Sequence, residues 1–433
     1  MPLHLELEQR KVAALDGLSS VANQCGPRVL RRFTQEGNMG ISEYDFHLRI
    51  RQMYAPTPGI FLALILLAFA LPRGFAQDSI TYDGHGHACF VNPILVNSCG
   101  PWLGAWANNY TAAPVVPPDG GEGLKSQILY HESRIGRQLS IVHSYHPPAE
   151  TAISADEGYF IDRPGTYLLI NWRPTDPWIN AAGGDNTGNA QIDAMATSIK
   201  KVAPHKVFLV IQAEPERSVS ANNPGLTCAL RPGATSGSEA DYVAMWHNVR
   251  ARFDRLHVRN VVWVMDYEGY SKFDPCMTNA LYPGDRYVDW VAWDPYDPGT
   301  GWVAATNYFY NTLVSLTDRK HRYTSKPWML AEFGVEGKAG QPHAYQYYAD
   351  AKAALDSNTY PRLHAYVVFD AIGSLYTQVE YGGASKATLV LDPTEQAYYN
   401  KFANDRKFIH KYPRGNPPGN DSPFVPSDFG HYE

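Results

Sequence analysis

Two glutamates, Glu214 and Glu332, each end a short apolar run: Lys206 to Glu216 reads KVFLVIQAEPE, and Lys326 to Gly334 reads KPWMLAEFG. Runs of this length, rich in Val, Ile and Leu, are too short for helices and read as buried strands. A charge is costly at the end of such a strand unless it faces a site. Two carboxyls brought to one rim are the apparatus of glycosidic bond hydrolysis. In the retaining form one serves as acid/base and the other as nucleophile, roughly 5–5.5 Å apart. The bland alternative makes both glutamates structural ion-pair partners at loop ends. Glu216, Glu268 and Glu336 read as solvated, with Glu216 or Glu268 the substitutes for Glu214 as acid.

The elements that must position these groups follow in order. Strands are expected at Leu103–Ala107, Leu139–Ser144, Tyr167–Trp172, Val207–Ala213, Val261–Met265, Val288–Trp293, Trp328–Ala331 and Ala365–Phe369. Helices are expected at Gly123–Arg134, Gln191–Val202, Glu239–Leu256, Val303–Leu316, His343–Leu355 and Pro393–Lys411. In Glu239–Leu256 the residues Tyr242, Met245, Trp246, Val249 and Phe253 form one stripe, the spacing of an amphipathic helix. Alternating strands and helices predict an α/β fold, a (β/α)8 TIM barrel in a single catalytic domain. A doubly wound sheet would want a Gly-rich phosphate turn after an early strand, and none is present.

The working face of such a barrel lies at the carboxyl ends of its strands. Those ends carry Trp106 and Asn108, His143 and Tyr145, Trp172 and Arg173, Glu214, Asp266 and Glu268, Asp294 and Tyr296, Glu332, and Asp370. Trp172, Arg173, Asp294, Tyr296, Glu268 and Trp302 are the candidate substrate-binding residues. Tyr296, two residues after Asp294, is placed to hydrogen-bond the nucleophile, with a core ring as its alternative. Trp172, Trp178, Trp293 and Trp302 are each open between core packing and a sugar platform. Arg173 is open between an ion pair and a ligand for an acidic sugar. Asp83, His85 and His87 sit on a Gly-rich stretch, and no metal site is expected there.

Of 433 residues, 18% are charged and 13% aromatic. Few charges and many rings suit a protein that grips neutral, flat-faced ligands such as sugars. A net charge of −6 without a Lys/Arg cluster excludes a nucleic-acid surface. Ile60 to Leu71, IFLALILLAFAL, is too short to span a bilayer comfortably and has the length of a signal-peptide core. Gly74-Phe75-Ala76 then offers a cleavage point. The expected organisation is an upstream segment, 1–52, outside the mature protein, with translation starting at Met39 or Met53. A signal peptide, 53–76, follows, then the barrel, 77–412, and a polar tail, 413–433. The chain is accordingly expected to be secreted or periplasmic, with an anchored form as the alternative. Cys89, Cys99, Cys228 and Cys276 allow three pairings in an oxidising compartment, of which Cys89 with Cys99 would close a short loop and Cys228 with Cys276 would join two long ones, against four free thiols in a reducing compartment. Asn109 and Asn420 begin glycosylation sequons.

The ordered set VIQAEPE, ADYVAMWHNVRARF with NVVWVMD, YPGDRYVDWVAWDPY and KPWMLAEFG resembles glycoside hydrolase family 26, the endo-β-mannanase family. The resemblance spans roughly Leu103 to Phe402. It implies a retaining (β/α)8 enzyme with Glu214 as acid/base and Glu332 as nucleophile, no cofactor, and a polysaccharide or oligosaccharide partner. β-Mannan is the implied substrate, with β-glucan or xylan as alternatives. Two positions depart from the family pattern. Ala213 stands where His usually precedes the acid/base, and Trp172-Arg173-Pro174 replaces a Trp-His-Pro. Both fall on substrate-facing positions and put mannan specificity in doubt. A barrel that binds carbohydrate without turning it over is the second hypothesis. A monomer without stable membrane association is expected.

Overall fold

Eight apolar runs form eight parallel strands that close on themselves. In the computed structural model the residues described are 80–82, 87–108, 123–184, 186–220, 233–269, 276–297, 300–335, 342–371 and 393–408, all within the unit Ala76–Glu433. The expected leader, both sequons, Asp83, His85, Cys228, Glu336 and the tail lie outside them.

After a hairpin of β1 (Ile80–Tyr82) and β2 (Ala88–Phe90), the barrel strands are β3 (Trp102–Asn108), β4 (Ile141–His146), β5 (Tyr167–Trp172), β6 (Val207–Ile211), β7 (Val261–Tyr267), β8 (Trp290–Trp293), β10 (Trp328–Leu330) and β12 (Leu363–Ala371). Their order around the barrel is β10-β12-β3-β4-β5-β6-β7-β8. A two-residue pair, β9 (Tyr296–Asp297) with β11 (Gly334–Val335), sits beyond β8 and β10. A helix follows each barrel strand: α1 (Leu124–Ile135), α2 (Ala155–Ile161), α3 (Asn189–Lys201), α4 (Glu239–Arg255), α5 (Cys276–Leu281), α6 (Trp302–Leu316), α7 (Pro342–Asp356) and α8 (Pro393–Ala403). The fold is a (β/α)8 barrel. Among the described residues no helix is long and apolar enough to cross a membrane.

Helix α2 (seven residues) and helix α5 (six) were not expected, since neither completes two turns and no periodicity can show. The last helix stops at Ala403 rather than running to Lys411. The buried Arg137 donates to the carbonyls of Ala403 (2.9 Å) and Phe408 (3.0 Å), fixing a turn where the helix would have continued.

Alternation along each strand divides the core in two. Ile141, Leu169, Phe208, Val210, Val262, Val264, Met329 and Val367 fill the barrel. Leu168, Ile170 and Trp172 of β5 turn outward to the helices, as does the buried stripe of α4. Helix α4 starts at a capping box, in which Ser238 Oγ accepts from Asp241 N–H and the Asp241 carboxylate accepts from Ser238 N–H.

The foot of the barrel is stoppered. Val91 and Leu95 pack into the interior cluster. The indoles of Trp102 and Trp290, standing in the barrel, donate to the carbonyls of Leu95 (2.7 Å) and Ile94 (2.6 Å). The Cys89–Cys99 disulfide closes this segment on itself.

Candidate active site

At the other end, the inward-facing positions change from aliphatic to polar. Strand β10 runs through Ala331 into Glu332, which is nearly buried. The Tyr145 hydroxyl, from β4, donates to Glu332 Oε1, and the Tyr296 hydroxyl donates to Oε2 at 2.6 Å. Tyr296 reaches this point because β9 pairs with β11, putting Tyr296 opposite Gly334. A side chain at 334 would set its Cβ 3.3 Å from the Tyr296 ring, so the glycine after Glu332-Phe333 lets the tyrosine lie close. Burial and the charge of Glu214 push the Glu332 carboxyl up to about 7, against the pull of the two tyrosine hydroxyls.

Glu214 is delivered by a contorted turn. Strand β6 ends at Ile211, after which Gln212 (φ 53°) and Glu214 (φ 49°) both take the left-handed conformation. Such geometry in non-glycine residues persists only when its surroundings enforce it. Here Gln212 N–H donates to the Trp172 carbonyl at 2.8 Å, and Ala213 N–H to Asn171 Oδ1 at 3.0 Å. The Gln212 amide accepts from Trp178 Nε1 (2.7 Å) and donates to Ser218 Oγ (3.0 Å). The following turn, Pro215–Ser218, aims Arg217 Nη1 at Glu214 Oε2, 2.7 Å away. Arg217 Nε stands 3.7 Å from Glu268 Oε1. Glu216 accepts from the Glu268 backbone N–H with both oxygens, at 3.1 and 3.2 Å.

Below the two glutamates lie Asp266, from β7, and Asp294, just past β8, both buried. None of their carboxyl oxygens has a hydrogen-bond partner among the described residues. Burial, then the charges of Glu332 and Glu214, raises Asp266 well above the usual carboxylate range. Burial and the neighbouring carboxylates, Asp266 first, do the same to Asp294. His143, its ring tilted against that of Tyr145 with centroids 4.4 Å apart, is pushed down by burial to about 3 and stays neutral. The floor of the site therefore holds two carboxyls raised by burial and by their neighbours' charges, a neutral His143, and Glu332, which titrates near neutrality.

A cleft of about 450 Å³ opens beside this cluster, lined on one side by Tyr145 and His146 and on the other by Asn171, Arg173, Ala213, Glu214 and Arg217. The structure brings Glu214, Glu332, Tyr296, Asp294 and Glu268 together at the mouth. Arg173 lines the cleft and is paired with Asp176.

Four sequence expectations need correction. Trp172 and Trp302 are fully buried and have no face for a sugar. Trp172 points outward because the inward place on β5 belongs to Asn171, one residue earlier. Trp302 opens α6 and packs on Tyr360 and Tyr366. Glu216 is completely buried, not solvated, because the Glu268 backbone satisfies it. Asp370 faces the helices, where its carboxylate lies 2.6 Å from His131 Nδ1. Asn171, Gln212 and Arg217 were not anticipated. The single polar residue in YLLINW marks Asn171, and the i+3 spacing to Glu214 marks Arg217.

The barrel, with its carboxylates gathered at the carboxyl end of the strands, defines the class of site: two glutamates above two buried aspartates, beside an open cleft. No family profile and no curated protein matches the chain. Among solved structures it is similar to the family 26 domain of an endo-β-mannanase/endo-β-glucanase from Prevotella bryantii, at 16% identity over 72% of this chain and 91% of the other, TM-score 0.47. It is also similar to a family 26 β-mannanase from Bacteroides ovatus, at 15% identity over 72% and 90%, TM-score 0.47. A family 128 endo-β-1,3-glucanase from Sorangium cellulosum matches at 16% identity over 69% and 97%, TM-score 0.42.

Proposed function

We propose that this chain is an exported retaining endo-β-glycosidase acting on a β-linked polysaccharide. The observation that carries the reading is Glu332, nearly buried at the barrel mouth with a tyrosine hydroxyl on each oxygen, one of them from Tyr145, which lines the same cleft as Glu214. Two hydroxyl donors hold a carboxylate in one orientation, as attack on an anomeric carbon requires. In this scheme Glu332 attacks the sugar while Glu214 protonates the leaving oxygen. Glu214 then takes a proton from the water that releases the sugar. The chemistry calls on no cofactor. Ala213 offers the cleft only a methyl group where a polar residue would bind a hydroxyl, so a β-glucan or xylan is preferred over unsubstituted mannan.

Assay on a panel of β-linked polysaccharides tests this. Glu332→Ala should abolish turnover on all of them. Glu214→Ala should still react once with an activated aryl glycoside and stall, with azide restoring turnover as a β-glycosyl azide. The same methyl at Ala213 also supports a carbohydrate-binding barrel without catalysis. Wild-type protein that binds oligosaccharides but hydrolyses none of the panel would replace the first reading with that one.

A further inference from the structure

Arg217 stands between two carboxylates that it contacts unequally, and it lines the open cleft, so its guanidinium has room to move. We propose that Arg217 is a positioning residue with two seats, Glu214 and Glu268, and that its exchange between them sets which protonation state Glu214 holds. The proposal rests on the glycosidase reading for its purpose, though not for its measurement.

The geometry supplies both seats. Nη1 is 2.7 Å from Glu214 Oε2, a full charge-assisted hydrogen bond. Nε is 3.7 Å from Glu268 Oε1, about one ångström beyond such a bond. The main chain that carries both carboxylates is held. Glu268 is anchored through its backbone N–H to the buried Glu216, and Glu214 sits in a turn held by Asn171 and Trp178 through its two preceding residues. The side chain of Arg217 is about one-third exposed, so neither seat is locked by packing.

In the retaining scheme one carboxyl is an acid and then a base; loss of the Glu332 charge in the ester favours that change, and the arginine's exchange adds to it. With the guanidinium on Glu268, Glu214 can keep its proton. That proton passes to the leaving oxygen as the bond from anomeric carbon to oxygen breaks and the bond to Glu332 forms. Glu214 is then an anion, and Arg217 moves onto it. In the second half, water gives its proton to Glu214 while its oxygen bonds to the anomeric carbon and the ester to Glu332 breaks. Glu214 is neutral again, and the guanidinium returns to Glu268. No atom or electron is left over. The structure holds the stage with Arg217 on Glu214.

Other charged groups face Glu214. Glu332 comes from the end of β10, Asp266 from β7 and Asp294 from beyond β8, and all three are coupled to its charge. Across the cleft are His146, itself bonded to Glu157, and Arg173, bonded to Asp176. Arg217 reaches both Glu214 and a second carboxylate, Glu268.

The test is a titration of Glu214 by carboxyl-carbon NMR, its resonance assigned with Glu214→Gln. It is run on wild type, Arg217→Met, Glu268→Gln and the double variant. Arg217→Met should raise the Glu214 midpoint by about one pH unit. Glu268→Gln should lower it, because the guanidinium then loses the carboxylate that competes with Glu214 for it. In the Arg217→Met background, Glu268→Gln should do little, since its effect passes through the arginine. The alkaline limb of kcat/KM on an unactivated oligosaccharide should move in the same directions. An equal lowering by Glu268→Gln in both backgrounds would mean plain charge repulsion and overturn the proposal. So would a Glu214 midpoint indifferent to Arg217. The NMR result stands even if no substrate is turned over, so loss of the catalytic reading and loss of the two-seat reading are separate outcomes.

Discussion

The Tyr296 hydroxyl donates to Glu332 Oε2 across 2.6 Å, from a residue paired directly opposite Gly334. This donor favours the ionised carboxyl, the form that the proposed mechanism uses. Tyr296→Phe should therefore raise the carboxyl above its present value of about 7. Because Glu332 titrates together with its neighbours, the shift belongs to the set. The acid limb of kcat/KM should move to higher pH, and the rate at pH 6 should fall about tenfold, the usual worth of a hydrogen bond to a charged group. A pH–rate profile with its acid limb unmoved would show that the tyrosine serves packing alone.

Asp266 gives a stability prediction with a definite sign. Its native carboxyl is raised well above the usual range, so the folded chain keeps a proton that the unfolded chain has released. That contribution is fully present below the unfolded value of about 3.9 and is lost as pH rises through the folded value. Asp266→Asn removes the titration and should narrow the gap between Tm at pH 5 and Tm at pH 8, by roughly 2 °C or more. Thermal melts of both proteins at the two pH values decide it. An unchanged gap would mean that Asp266 is ionised in the fold.

Neighbouring residues on β5 should separate function from packing. Asn171→Ala deletes the acceptor of the Ala213 N–H and loosens the turn that delivers Glu214, so kcat should fall with little change in Tm. Trp172→Leu shrinks a fully buried indole and should cost about 3 kcal/mol of stability. Oligosaccharide affinity of the folded Trp172→Leu protein should stay at the wild-type level. Binding measured by calorimetry, alongside denaturant melts, distinguishes the two sites.

Arg137 is the test of the closing helix. Its guanidinium, buried and lowered by that burial to about 10, donates to the carbonyls of Gln138, Ala403 and Phe408. Arg137→Met leaves main-chain acceptors unpaired and should destabilise the fold by about 3 kcal/mol. Hydrogen exchange should quicken first in α8. Uniform loss of protection across the barrel would argue against a local role.

The barrel was legible because each strand is a short, mostly apolar run with a polar residue at or just past its end, and most expected boundaries fall within two residues of those observed. Which face each residue takes was less legible. A strand buried on both sides shows no alternation, so Trp172 looked as available as Asn171. Asp370 was misplaced for a different reason. Its partner His131 lies 239 residues earlier, and no local pattern announces a pairing that only the closed ring creates. The carboxylates and Tyr296 stood in recognisable motifs. Arg217 and Gln212 matter through the shape of a turn whose backbone signs are not written in residue types.

The stopper at the foot, with Leu95 and Ile94 capping two indoles, has a consequence for traffic. The interior above it is filled by side chains, so nothing passes through the barrel. Under the proposed function a polymer would lie across the rim over Glu332 and be cut where it crosses, and the pieces would leave by the doorway through which the next chain arrives. Departing fragments and incoming chains therefore contend for the same few ångströms of rim.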